Sequence, residues 1–212
     1  MKRALVPLLA VGMAAVAFAG PLSQQEINAL SPIDSVPAKL TIDTVFNGVG
    51  PARDRLITIS QDPSADVGVR LRAIHTLWKY CPLDTTLASS PCVVTDSGWP
   101  VHDALVALVP ASPSAWPHSG PDLILLRAAI ESLGLLRVTA ADVSATDVTL
   151  LTRLLDHPSR DIRATAAHAL RDRCNTQATG PLRVRYHNET SDQVKLAISE
   201  ALRALAGCGP VN

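Results

Sequence analysis

Aromatic side chains are scarce: Phe, Trp and Tyr make up 3% of the 212 residues. That argues against an aromatic-rich nucleic-acid binder and against a carbohydrate platform. No charge of one sign dominates either. Nineteen Lys and Arg balance nineteen Asp and Glu. The chain therefore lacks the global basic field that gathers phosphate backbones, and no nucleic-acid partner is expected. Also missing are GxSxG, HExxH, a Gly-rich phosphate loop and GxGxxG. No catalytic residue, cofactor or metal ligand is assigned on that basis. Beyond the N-terminus no apolar run is long enough to cross a bilayer. What the chain does have is 47% hydrophobic and 18% charged residues, which excludes a largely disordered polymer. Its length suits one domain, or one domain with extras, around a sizeable core.

Residues 1–19 read as a signal peptide. Lys2 and Arg3 form the charged start, and Ala4 to Val16 is apolar apart from Pro7 and Gly12. Ala17-Phe18-Ala19 then places small residues where a signal peptidase inspects the chain, leaving Gly20 first. A membrane anchor is the competing reading. The run is short for a span, and Gly20-Pro21 breaks it. No stable membrane span is expected after cleavage. Arg far outnumbers Lys and Asp far outnumbers Glu, a skew that suggests a GC-rich bacterial genome. The expected location is then periplasmic or secreted.

The four cysteines, Cys81, Cys92, Cys174 and Cys208, all follow the expected cleavage site. An even count in an exported chain favours disulfides. Three connectivities are open, and Cys81–Cys92 with Cys174–Cys208 is favoured because each pair is close in sequence. A zinc site is the alternative, but no CxxC spacing supports it.

Four nine-residue windows line up: 69–77, 125–133, 162–170 and 194–202. Positions one, five and nine are aliphatic throughout: Val69, Ala73, Leu77; Leu125, Ala129, Leu133; Ile162, Ala166, Leu170; Val194, Ile198, Leu202. Spacing of four places them on one helical stripe. Position two is Arg70, Leu126, Arg163 and Lys195. A second amphipathic stretch precedes each window, closed by Pro63, Pro110 and Pro158 in three cases and by His187-Asn188 in the fourth. Proline after the first helix forces a turn.

Helix, polar turn, then a helix opening on a Val-Arg-like pair: this pattern resembles the HEAT-repeat family, and the export features suggest an exported bacterial member. The resemblance covers roughly residues 51–208. It implies an all-α, right-handed αα superhelix, a solenoid of about four helix pairs. It also implies an Asp/Arg ladder between repeats, with Asp62 before Arg70 and Asp156 before Arg163, and Asn188 before Lys195 as a weaker version. Leu126 departs from that pattern. No His-Glu dipeptide of the iron-binding members occurs. An ordinary helical bundle with repetitive amphipathic helices is the alternative.

Residues 20–50 are read as an N-terminal helical cap and 51–212 as the repeat domain. Ser23-Gln24-Gln25-Glu26 is a capping-box pattern, and a second helix is expected from about Pro37 to Asn47, stopped by Gly48. Two long connections, 81–100 and 110–121, interrupt the array. The resemblance puts the second helices on the concave side. Its exposed positions there would include Arg72, His75, Lys79, Arg127, Glu131, Thr165, Arg171, Lys195 and Ser199. Trp99 and Trp116, in the long connections, are candidate contact residues or lids, whereas Trp78 is expected in the core. Together these describe a non-catalytic protein-binding scaffold whose partner the sequence does not name. The alternative is an extracytoplasmic enzyme or enzyme accessory using His102, Asp103 or His118 in the 81–121 region. His168 and Asp172, one turn apart, read as a helical contact before a metal pair.

Overall fold

A computed structural model describes residues 20–31, 35–81, 100–136 and 141–208, with side chains from 145 onward in the last stretch. The expected signal peptide, Cys92 and Trp99 lie outside the described residues. The described residues form ten α-helices joined by short 3-10 turns, with no strand among them.

The first helix, α1 (Gln24–Ala29), begins on the capping box. Ser23 Oγ accepts from the Glu26 N–H at 3.2 Å, and Glu26 Oε2 accepts from the Ser23 N–H at 2.7 Å. Next comes α2 (Lys39–Val45). It is shorter than its pattern suggests because the chain turns left-handed at Asn47 and Gly48, with φ of 63° and 121°. Helix α3 (Val49–Gln61) follows at once. Helices α1, α2 and α3 pack in succession. Glu26 also accepts from Arg55 Nε at 2.8 Å, and the buried Tyr80 hydroxyl donates to Asp43 at 2.7 Å. Leu30, Ile42 and Phe46 are buried beneath them.

Four helix pairs make up the stack. They are α3 with α4 (Val67–Leu77), α5 (Pro100–Ala107) with α6 (Gly120–Leu135), α7 (Ala141–Arg153) with α8 (Arg160–Asp172), and α9 (Thr179–Asn188) with α10 (Asp192–Leu205). The four aligned windows fall in α4, α6, α8 and α10. All twelve of their aliphatic positions join the core, and only Leu202 remains partly exposed. Asp66 caps α4 by accepting from the Gly68 and Val69 N–H groups. Leu126, where a basic residue was expected, is buried.

The second helices pack on one another in succession, α4 on α6 on α8 on α10. First helices α5, α7 and α9 meet one another far less. A stack that is closer on one side curves toward that side, so the second helices form the inner row. The approach is tightest at Gly134, where a Cβ would fall 2.8 Å from Ala169 Cα. Only glycine lets α6 and α8 come that close.

The inter-repeat ladder differs from the expected one. Asp62 spends its carboxylate on the Ser64 N–H and hydroxyl, and Arg70 reaches the Ser60 carbonyl instead. Arg163 does bridge to the next repeat, but its partner is Glu189. Arg163 Nε and Nη2 donate to the two oxygens of Glu189 at 2.8 and 2.9 Å. Glu189 also accepts from Arg185 and from the Thr190 and Ser191 N–H groups. Asp156 is left to Arg185. A guanidinium fork suits a two-oxygen carboxylate lying ahead of it, and the turn after α9 supplies one.

Just past α8 and α10, Cys174 and Cys208 sit at disulfide distance, with Cα atoms 5.6 Å apart. Cys174 adopts φ of 51°, the bend after α8 that brings it to Cys208.

Candidate binding surface

The inner row brings several of the expected side chains onto one continuous face. On α4, Arg72 and His75 are half-buried. His75 Nε2 lies 3.9 Å from a Glu131 oxygen, and Arg127 Nε donates to the other at 2.8 Å. One carboxylate on α6 thus faces the His75 ring of α4 and holds the Arg127 guanidinium of its own helix. Burial pushes the His75 pKa down; Glu131 opposes the shift, while Arg72 and Arg127 add to it. On α8, Arg171 Nε donates to Asp172 at 2.7 Å, and its Nη1 lies 3.3 Å from His168 Nδ1. Glu200 of α10 reinforces the positive charge on Arg171. His168 and Asp172 therefore both attend to Arg171. Lys195 and Ser199 are half-buried on α10, and Lys195 makes no ion pair among the described residues.

Three expected positions are corrected. Thr165 is only 6% exposed, and its hydroxyl donates to the Asp161 carbonyl, so it belongs to the α8 interior face. Lys79 is not free. Its ammonium donates to the Pro37 and Val36 carbonyls at 2.6 and 3.4 Å and clasps the segment before α2. Trp116 is no exposed anchor. It is 8% exposed and lies on the His157 ring, with centroids 5.0 Å apart, so the connection before α6 closes over the α7–α8 turn. His157 is fully buried there, and its Nδ1 accepts from the Ser159 N–H. That bond places the proton on Nε2 of a neutral ring. Burial, then the neighbouring His118, push its pKa down. Trp78 packs against the core in the turn after α4, as its position suggested.

Of the residues named for the alternative reading, His102 and Asp103 meet and His118 stands apart. His118 is exposed on the lid, 6.3 Å from His157 between ring centroids. His102 is buried on α5. Its Nδ1 is 2.9 Å from Asp103 Oδ1, and its Nε2 is 2.7 Å from Asp147 Oδ1 on α7. The other Asp147 oxygen contacts Arg173, whose Nη1 donates to the Leu136 carbonyl at the end of α6. Asp147 and Arg173 are almost fully buried. Burial lowers the Arg173 pKa to about 10, which leaves it charged at neutral pH. This network joins α5, α6, α7 and the end of α8. Sequence reasoning missed it, because His102, Asp147 and Arg173 are 26 to 71 residues apart and none lies in a motif. His102 serves this packing contact.

Among the described residues no helix is long and apolar enough to cross a membrane. No group of three His, Cys, Asp or Glu among them is placed to hold a metal ion. Comparison with curated proteins and with solved structures returned no match. Residues 118–203 match the family model for HEAT repeats. The matched stretch runs from the lid through most of α10, where the helix pairs follow one another without a long connection. The match supports a HEAT-repeat assignment for this part of an all-helical stack.

Proposed function

We propose that the chain is an exported, non-catalytic scaffold that binds a protein partner on the inner face of its helical stack. The single observation that carries this reading is the continuous row α4, α6, α8 and α10 with its mixed, partly neutralised charges. HEAT repeats commonly serve as protein-interaction scaffolds, which favours the same use here. Rigid packed helices lose little freedom on binding, so their side chains reach a partner already positioned. The Arg127–Glu131 and Arg171–Asp172 pairs set a charge pattern that selects among partners, while Lys195 biases the face toward positive potential. The basic start, apolar run and small residues of 1–19 support export, and the Cys174–Cys208 pair suits an oxidising compartment. We place the mature protein in the periplasm or outside the cell.

The test is capture from the native envelope with mature wild-type protein and with the double variant Arg127→Glu, Arg171→Glu. Both must show the same melting temperature. A discrete protein captured by the wild type and lost with the variant is expected. Equal capture by both, or none by either, contradicts the reading.

A further inference from the structure

The inner row is close-packed, but the outer row opens. Between α5 and α7 runs a groove of about 600 Å³ whose lining includes Val106, Val109, Pro110, Thr149, Leu150 and Arg153. Its walls are mainly apolar. Val109 and Leu150 form part of the buried floor, and the Thr149 hydroxyl is spent on the Ala145 carbonyl. Arg153, exposed in the last turn of α7, is the only charged residue lining it among the described residues. Its Nη1 donates to the Ala111 carbonyl at 2.7 Å, which fixes the guanidinium at the groove. Arg153 makes no ion pair among the described residues, so its remaining N–H groups are available for a carboxylate. From Thr146 to Arg153 the α7 wall is about 10 Å long, room for about three extended residues.

We propose that this groove docks an extended peptide segment of a partner protein, with one or two aliphatic side chains on Val109 and Leu150 and an Asp or Glu side chain on Arg153. The occupant follows from charge complementarity: an apolar strip that ends in one fixed, unneutralised cation fits an aliphatic segment with one acid. The groove is open along the surface, which suits a segment passing through it. It lies in the outer row and is independent of the inner face, so a partner can hold both surfaces or either alone.

The experiment uses a labelled library of pentapeptides with Val, Leu or Ile at three positions and Asp, Asn or Lys at a fourth. Binding to the mature protein is read by fluorescence anisotropy. Asp members are expected to bind about tenfold more tightly than their Asn counterparts, the margin of one charge-assisted contact. Arg153→Glu should reverse the preference toward the Lys members. Ala107→Trp, at an exposed residue lining the groove, should abolish binding without moving the melting temperature. Arg127→Glu with Arg171→Glu should leave peptide binding intact, which separates this proposal from the inner-face reading. Equal binding of Asp and Asn members, or binding indifferent to Ala107→Trp, overturns it. So does displacement of every bound peptide by dodecanoate together with tighter binding of that simple amphiphile.

Discussion

The inner and outer helix rows are held together by different means. Along the inner row, α6 touches α8 backbone to backbone at Gly134 and Ala169, and Ser132 of α6 donates to the Ile74 carbonyl of α4 at 3.0 Å. Along the outer row, polar links among the described residues are His102 to Asp147 across α5 and α7, and Arg185 to Asp156 between α9 and the turn after α7. Apolar contact leaves no gap, whereas a single polar bridge holds two helices at arm's length. The outer row therefore carries grooves, and the inner row carries a continuous face. One sequence thereby builds a closed surface and an open one from the same helix pair.

The sharpest way to break the comparison is to remove the polar bridge of the outer row. Asp147→Ala leaves Arg173 buried without its counter-charge and should cost about 3–5 kcal/mol. Denaturant unfolding measures it, and a cost near zero would mean that α5 and α7 do not depend on charge. Opening the Cys174–Cys208 closure with Cys174→Ser comes next. A loop of 34 residues predicts a loss of about 3–4 kcal/mol in the chain-entropy account. Exchange protection should fall mainly in α9 and α10, the last pair of both rows. Crowding the inner row with Gly134→Val should cost about 1–3 kcal/mol by overpacking. It should also raise amide exchange in α6 and α8 more than in α5 and α7.

The smallest effects are those of pH. Burial alone would raise the Glu189 pKa, but Arg163, the Ser191 N–H, Arg185 and the Thr190 N–H outweigh it and hold the carboxyl well below the carboxylate range. A depressed acid stabilises the fold above its unfolded pKa, about 4.3, and that contribution is lost as pH falls below it. His157 acts earlier. Its folded pKa lies below about 6.5, so the unfolded chain takes up the proton first and stability slips as pH falls through that value. Thermal unfolding at pH 7.5, 5.5 and 3.5 should show a slight drop, then a larger one. Glu189→Gln should remove the second drop and leave the first.

The inner row was legible in the sequence because apolar contact leaves a local mark. Val69, Ala73 and Leu77 repeat every fourth residue, and the same spacing recurs in three later windows. The start of α1 was legible too, since Ser23 and Glu26 stand three residues apart in the capping box they form. The polar links between repeats left no such mark. His102 and Asp147 are 45 residues apart, and Arg163 and Glu189 are 26 apart. Any of several acids might have been the partner by spacing alone, so Asp156 was expected where Glu189 stands. Of the candidate site, the charge positions on α4, α6 and α8 were readable from helical phase. The engagement of Lys79 with Pro37 and the burial of Trp116 over His157 were not, because both depend on where a connecting segment returns.

The central claim is that a partner is held on the inner row. A photo-crosslinking side chain placed at Arg127 or Ser199, on α6 and α10, reads it directly when compared with one at Arg183, exposed on α9. In the native envelope the two inner positions should each yield a discrete adduct of the same mass, and Arg183 should yield little. Adducts absent at both inner positions, or equally strong at Arg183, would contradict the account.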